Sequence, residues 1–222
     1  MTVAEALDKR LSVRGFLDKP VSRETLETLL TAAQRAPSGG NLQPWRVIAL
    51  TGKSKDDLIR VAQEKLSKSP MGEPTDRPIY PEDLGEPHRS RRFQVGEDLY
   101  GALGIPREDK AARLGWFANN FRFFGAPVAL MIVIDECMGH GQWAHTGMFM
   151  QSIALLATEM GLGTCMQECW GILRPTLKEH LGLGETEMLY CGMALGYPDW
   201  DNPANQMRSA RAALSEFAEF RD

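Results

Sequence analysis

Apolar positions recur along this chain in two rhythms, one helical and one extended. From Ser22 to about Arg35, Leu26, Leu29, Leu30 and Ala33 repeat at i, i+3, i+4 and i+7, one buried helix face. Val3 to Arg10 reads as a shorter helix capped by Thr2. Ser54 to Ser67 reads as another, burying Leu58, Val61, Ala62 and Leu66. Trp45 to Thr51 is dense in β-formers and reads as a strand. Val128 to Ile134 is almost purely apolar, which marks a strand covered on both faces. Glu187 to Leu195 is a further strand, closed by Gly196-Tyr197-Pro198. Gln142 to Met160 is helical and apolar around much of its circumference, so it belongs in a core or a subunit interface. Gly161 offers the left-handed position that ends it.

Between these segments the pattern dissolves. Pro70, Pro74, Pro78, Pro81 and Pro87 exclude regular structure from Ser69 to Pro87. Too little chain follows for a linker to a second domain. The stretch therefore reads as an ordered surface excursion, of the kind that often covers an active site. His88 to Asn120 is helical in tendency, with a break at Gly104-Ile105-Pro106. Strands and helices alternate unevenly, which implies a layered α/β or α+β sheet flanked by helices. No internal repeat interrupts it.

Composition narrows the function classes. The 222 residues are 43% hydrophobic and 24% charged, ordinary for a globular protein. A net charge of −4 provides no field that would draw nucleic acid or an anionic membrane. No apolar run reaches bilayer length, and the start lacks a signal peptide's regions, so a cytoplasmic location is expected. Cys137, Cys165, Cys169 and Cys191 form no Cys-x-x-Cys pair. Cys137, His140 and His145 match no common metal spacing, so no metal site is expected.

Candidate chemistry sits in two short stretches. Ala36-Pro37-Ser38-Gly39-Gly40-Asn41-Leu42-Gln43-Pro44-Trp45 packs prolines, glycines and short polar side chains between a helix and a strand. On composition it is equally a Pro/Gly-punctuated turn. Arg10-Leu11-Ser12-Val13-Arg14 places two guanidiniums and a hydroxyl on one side of an extended segment, which suits a phosphate. Alone it reads first as a solvated basic turn. In this order and spacing, the two stretches together resemble the flavin-dependent nitroreductase family.

That resemblance implies an α+β fold with a central mixed or antiparallel sheet flanked by helices, in an intertwined homodimer whose C-terminal tail reaches the partner. It also implies one domain over residues 1–222, with a variable, lid-like excursion at about 69–114. It implies cofactor contacts from Arg10, Leu11, Ser12 and Arg14, and from Pro37, Ser38, Gly39, Asn41 and Gln43. Gly163 to Trp170 resembles the family's segment beside the reactive flavin edge, so Met166, Gln167, Glu168 and Cys169 are expected there. A backbone N–H of Glu168 or Cys169 would reach flavin N5. Asn119 and Arg122 fall where the family contacts the polar edge of the ring. Phe121, Phe123 and Phe124 either wall a pocket for a flat substrate or are ordinary core. Arg208 and Arg211 fall where late basic residues close over the phosphate.

The chain carries neither Gly-x-Gly-x-x-Gly nor Gly-x-x-x-x-Gly-Lys-[Ser/Thr]. With the flavin that the resemblance implies, and one phosphate-sized cluster at Arg10, Ser12 and Arg211, the expected cofactor is FMN, with NADH or NADPH as a transient reductant. The expected acceptor is a nitroaromatic or a quinone. A reductive dehalogenase, an alkene reductase and a non-catalytic flavin-binding protein are the alternatives on the same scaffold.

Overall fold

The structure is a computed structural model, and it describes residues 1–75 and 77–221. Helix α1 (Val3–Lys9) begins at Thr2, whose hydroxyl accepts from Glu5 N–H while the Glu5 carboxylate accepts from Thr2 N–H. This reciprocal box satisfies two donors that a helix start leaves open. Helix α2 (Arg23–Ala33) is capped one way only, by the Ser22 hydroxyl accepting from Thr25 N–H at 3.0 Å. Strand β1 (Trp45–Thr51) passes at once into α3 (Gly52–Lys68), because Gly52 takes φ 49° and reverses the chain without a loop. The helix therefore starts before the expected Ser54. Helices α4 (His88–Ala102) and α5 (Lys110–Phe117) flank the break at Gly104.

Strand β2 (Val128–Asp135) precedes α6 (His140–Glu159), which ends as expected at Gly161 with φ 74°. Strand β3 (Gly163–Gln167), helix α7 (Arg174–His180) and strand β4 (Glu187–Gly196) complete the elements. The four strands lie in the order β1-β2-β4-β3, and every neighbouring pair is antiparallel. Outside these strands, Ser12 bridges Thr164 in parallel, so the Arg10–Arg14 segment runs along the free edge of β3.

Strand β2 is buried on both faces, and its side chains alternate between two cores. Leu130 and Ile132 pack with Leu26, Leu29 and Ala33 of α2 and with Phe149 and Ile153 of α6. Ala129 and Met131 pack with Leu58 and Ala62 of α3, Leu177 of α7, and Trp170. Trp45 of β1 stacks on Phe149 with ring centroids 4.6 Å apart.

The proline-rich excursion is ordered and anchored. Glu73 N–H donates to the Ile172 carbonyl at 2.8 Å. The Glu73 carboxylate accepts from Thr176 N–H at 3.0 Å and from the Thr176 hydroxyl at 2.9 Å, and it pairs with Lys65 at 2.9 Å. Burial alone would raise the pKa of this carboxyl. The bonds from Lys65 and Thr176 outweigh burial and hold it below the ordinary value.

Candidate functional site

The site is built along β3. At the start of the strand, Val13 N–H donates to the Thr164 carbonyl at 2.9 Å, which keeps Arg10–Arg14 extended. Arg10, Ser12 and Arg14 then line one cavity of about 620 Å³, together with Arg208 and Arg211 from the tail. Among the described residues, no carboxylate pairs with Arg10, Arg208 or Arg211. Burial depresses the Arg10 pKa, and the charges of Arg211 and Arg208 depress it further. Like charges gathered on one concave surface favour an anion there. Both tail arginines line this cavity. Arg208 donates to the Asp8 carbonyl, and Arg211 reaches the Ser209 hydroxyl at 2.7 Å.

At the other end of β3, Gln167 is 2% exposed, and its amide donates to the Asn120 carbonyl at 2.8 Å. The segments around Met166–Cys169 and Asn119–Arg122 are thereby joined. Gln167 Oε1 and Trp170 Nε1 are buried without a hydrogen-bond partner. From Thr164 to Gln167 an extended chain spans roughly 10 Å. A cation-lined cradle and a polar, partly dry junction are thus held a fixed distance apart by one short strand. That separation suits a flat ring carrying a phosphate on a short tail. Met166 and Glu168 are exposed, whereas Cys169 is buried. Glu168 stands at the edge of the dry region, which raises its pKa against the opposing charge of Arg174. Burial pushes the Cys169 thiol well up and the Cys191 thiol up to about 12, so neither offers a thiolate at neutral pH.

The loop from Pro37 to Gln43 lies elsewhere. Ser38 Oγ accepts from Gln43 N–H at 3.0 Å, and Asn41 and Gln43 both sit at positive φ. Gly39 lies against the His145 ring near the start of α6; a Cβ there would come within 3.2 Å of it. The Arg10–Arg14 segment instead shares a cavity with Thr158 and Gly161, at the far end of α6. His145 and Thr158 are roughly 20 Å apart along that helix. A single chain does not bring these two stretches together.

A profile of the Nitroreductase family matches residues 7–197. The chain belongs to the nitroreductase family. Nitrobenzene nitroreductase of Ectopseudomonas oleovorans is 38% identical over 218 residues, covering 98% of this chain and 96% of that one. 4-Nitrobenzoate reductase of Pseudomonas putida is 35% identical over 214 residues, covering 95% and 92%. The crystal structure of the FMN and NADPH-dependent nitroreductase NfnB from Sphigopyxis sp. strain HMH superimposes with a TM-score of 0.97 at 42% identity, covering 100% of both chains.

Within this nitroreductase-family fold, Phe121, Phe123 and Phe124 are all buried in the chain by itself and pack in the second core. Phe123 stacks on Trp170 at 4.5 Å, and Phe121 meets the same indole edge-on at 5.3 Å. Phe123 and Phe124 hold φ 50° and 53°, a left-handed conformation that costs bulky residues about 1–3 kcal/mol each and persists only where packing dictates it. Arg122 is exposed and Asn119 half-buried; the residue bound to Gln167 is the neighbouring Asn120.

Asn205 and Thr164 also build the site. Their importance comes from pairing with distant backbone, for which no local signal exists. No helix among the described residues is long and apolar enough to cross a membrane.

Proposed function

We propose that this chain is an FMN-dependent NAD(P)H oxidoreductase that reduces nitroaromatic acceptors. The observation that carries the reading is the cluster of Arg10, Arg208 and Arg211, which among the described residues forms no ion pair with a carboxylate and is set by β3 at a fixed distance from the Gln167–Asn120 junction. The residues fit the group. Arg10, Ser12, Arg14, Arg208 and Arg211 would hold the phosphate. Asn119 and Arg122 would face the polar edge of the ring, and backbone N–H groups of Glu168 or Cys169 would face its reactive edge. Bound FMN supplies hydride chemistry, taken from a nicotinamide and given to the acceptor in alternate visits to one place, which makes the kinetics ping-pong. No side chain of the chain need act as a nucleophile. A cation at the polar edge favours negative charge there.

The flavin-contacting loop Pro37–Gln43 is supplied by a second copy of the chain, so the working unit is a homodimer in the cytoplasm. Its support is the separation of that loop from the cradle along α6. The excursion at 69–114 serves as the substrate-facing lid of the single domain, and Val95 of α4 already contributes to the cradle wall.

The purified protein is expected to be yellow, to release FMN rather than FAD, and to bleach on anaerobic addition of NADPH or NADH. Reoxidation by a nitrobenzoate supports the reading. Reoxidation by a halophenol alone would favour a dehalogenase, and failure to bleach would leave a flavin-binding protein.

A further inference from the structure

The cradle is assembled from two distant parts of the chain, and one buried side chain joins them. Asn205 is 2% exposed. Its Oδ1 accepts from Arg14 N–H at 2.7 Å, and its amide nitrogen donates to the Gly15 carbonyl at 2.8 Å and the Asp199 carbonyl at 2.7 Å. An amide nitrogen carries two hydrogens, so both are committed. A backbone bond runs alongside, from Asp199 N–H to the Gly15 carbonyl at 3.0 Å. The turn Pro203–Asn205 that presents this side chain is itself capped, because Asn202 Oδ1 accepts from Ala204 N–H at 3.0 Å. Directly after the turn the tail delivers Arg208 and then Arg211 to the cavity.

Asn205 does not line that cavity. It lines a neighbouring one, of about 470 Å³, which shares Leu11 and Arg208 with the cradle. Its influence on the cradle therefore runs through Arg14 on one side and the tail on the other. The arginines share one cavity and repel one another; the Arg10 pKa is lowered first by burial and then by the charges of Arg211 and Arg208. Neutral hydrogen bonds must keep two chain segments in register against that repulsion. Asn205 supplies them with no charge of its own, so it adds nothing that would compete for an anion.

We propose that Asn205 is the positioning residue that sets the spacing of Arg14, Arg208 and Arg211, and so makes the chain prefer a flavin bearing a phosphomonoester over the same flavin without it. This inference rests on reading the cavity as the FMN phosphate site. Alanine at this position would leave the Arg14 N–H without its partner and release the tail. Aspartate would remove both donors and set a carboxylate against two carbonyl oxygens.

The test uses the full chain freed of flavin, with dissociation constants for FMN and riboflavin measured by flavin fluorescence. Asn205→Ala and Asn205→Asp are each expected to weaken FMN by about tenfold or more, the worth of a displaced charge-assisted contact. Riboflavin should change by less than about twofold, since it makes no phosphate contact. A purely structural fault would weaken both ligands alike, and that outcome overturns the proposal, as does an unchanged FMN constant. Hydrogen exchange on the unmodified chain provides a check independent of variant folding. FMN should slow exchange of the Arg14 amide more than riboflavin does, and equal protection overturns the proposal. A wild-type chain that held FMN and riboflavin equally would remove both this inference and the phosphate reading. A wild type that discriminates, beside variants that discriminate just as strongly, removes the inference alone.

Discussion

Arg10 and Arg211 reach one cavity from opposite ends of the chain, and neither has a carboxylate partner among the described residues. A charge-assisted contact to phosphate is worth roughly 1.5–3 kcal/mol, or about ten- to a hundredfold in affinity. Arg10→Ala and Arg211→Ala are each expected to weaken FMN by that factor in a fluorescence titration. Constants unchanged in both variants would place the phosphate elsewhere. Gly192 tests packing rather than charge. A Cβ on Gly192 would lie 2.4 Å from Trp170 Cδ1, and that indole is fully buried against Phe123. Gly192→Ala is therefore expected to cost about 1–3 kcal/mol, the usual range for overpacking, and to lower Tm. A Tm equal to the wild type's would show that the indole has room to move.

Elements are held in place by a few polar anchors. Glu73 fastens the proline-rich excursion to α3 and α7, through Lys65 and Thr176. Its folded pKa lies below the ordinary carboxylate value, so the folded state gives up this proton more readily than the unfolded chain. The anchor is fully present above the unfolded pKa and is lost as pH falls through the folded one. Limited proteolysis between Ser69 and Pro87 should accelerate as pH falls below about 4.5. Glu73→Gln should show that acceleration already at pH 7. A cleavage rate independent of pH and of this substitution would mean that the excursion is held by other contacts. Strand β3 makes the same point in backbone terms. Its sequence, Gly163-Thr164-Cys165-Met166-Gln167, carries no apolar run, yet it pairs with β4 from Gly163–Gly196 to Gln167–Gly192.

On the scale of the whole molecule, the loop at Gly39 and the cradle at Arg10 stand at opposite ends of α6. The tail beyond the cradle leaves Phe217 71% and Phe220 81% exposed, a poor resting place for aromatic rings in water. Both features support the proposed second copy of the chain, and obligate interfaces usually bury more than about 2,000 Å². Sedimentation should show a dimer that persists to nanomolar concentration. Chains carrying Arg10→Ala, co-refolded with chains carrying Asn41→Ala, should regain flavin binding. Each such heterodimer holds one doubly damaged site and one intact site. A monomer with full flavin occupancy would refute shared sites.

Helices and buried strands were legible from the residue pattern because their causes are local. A face repeating every three or four residues, a capping hydroxyl at Thr2 and a glycine at Gly161 act within a turn or two of chain. The resemblance rested likewise on short motifs, and the family match over residues 7–197 agrees with it. Three things needed the folded chain. Strand β3 exists because β4 offers it a ladder, and pairing of that kind leaves no period in a polar five-residue segment. Phe121, Phe123 and Phe124 pack in the second core of the chain, a placement that apolarity leaves open because core and pocket demand the same surface. Arg10, Arg208 and Arg211 meet where the tail is tied to the start of the chain, by Asp199 N–H on the Gly15 carbonyl and by Asn205 on the backbone of Arg14 and Gly15. That contact is decided by tertiary packing, since an asparagine's own neighbours do not reveal which distant carbonyl it will find.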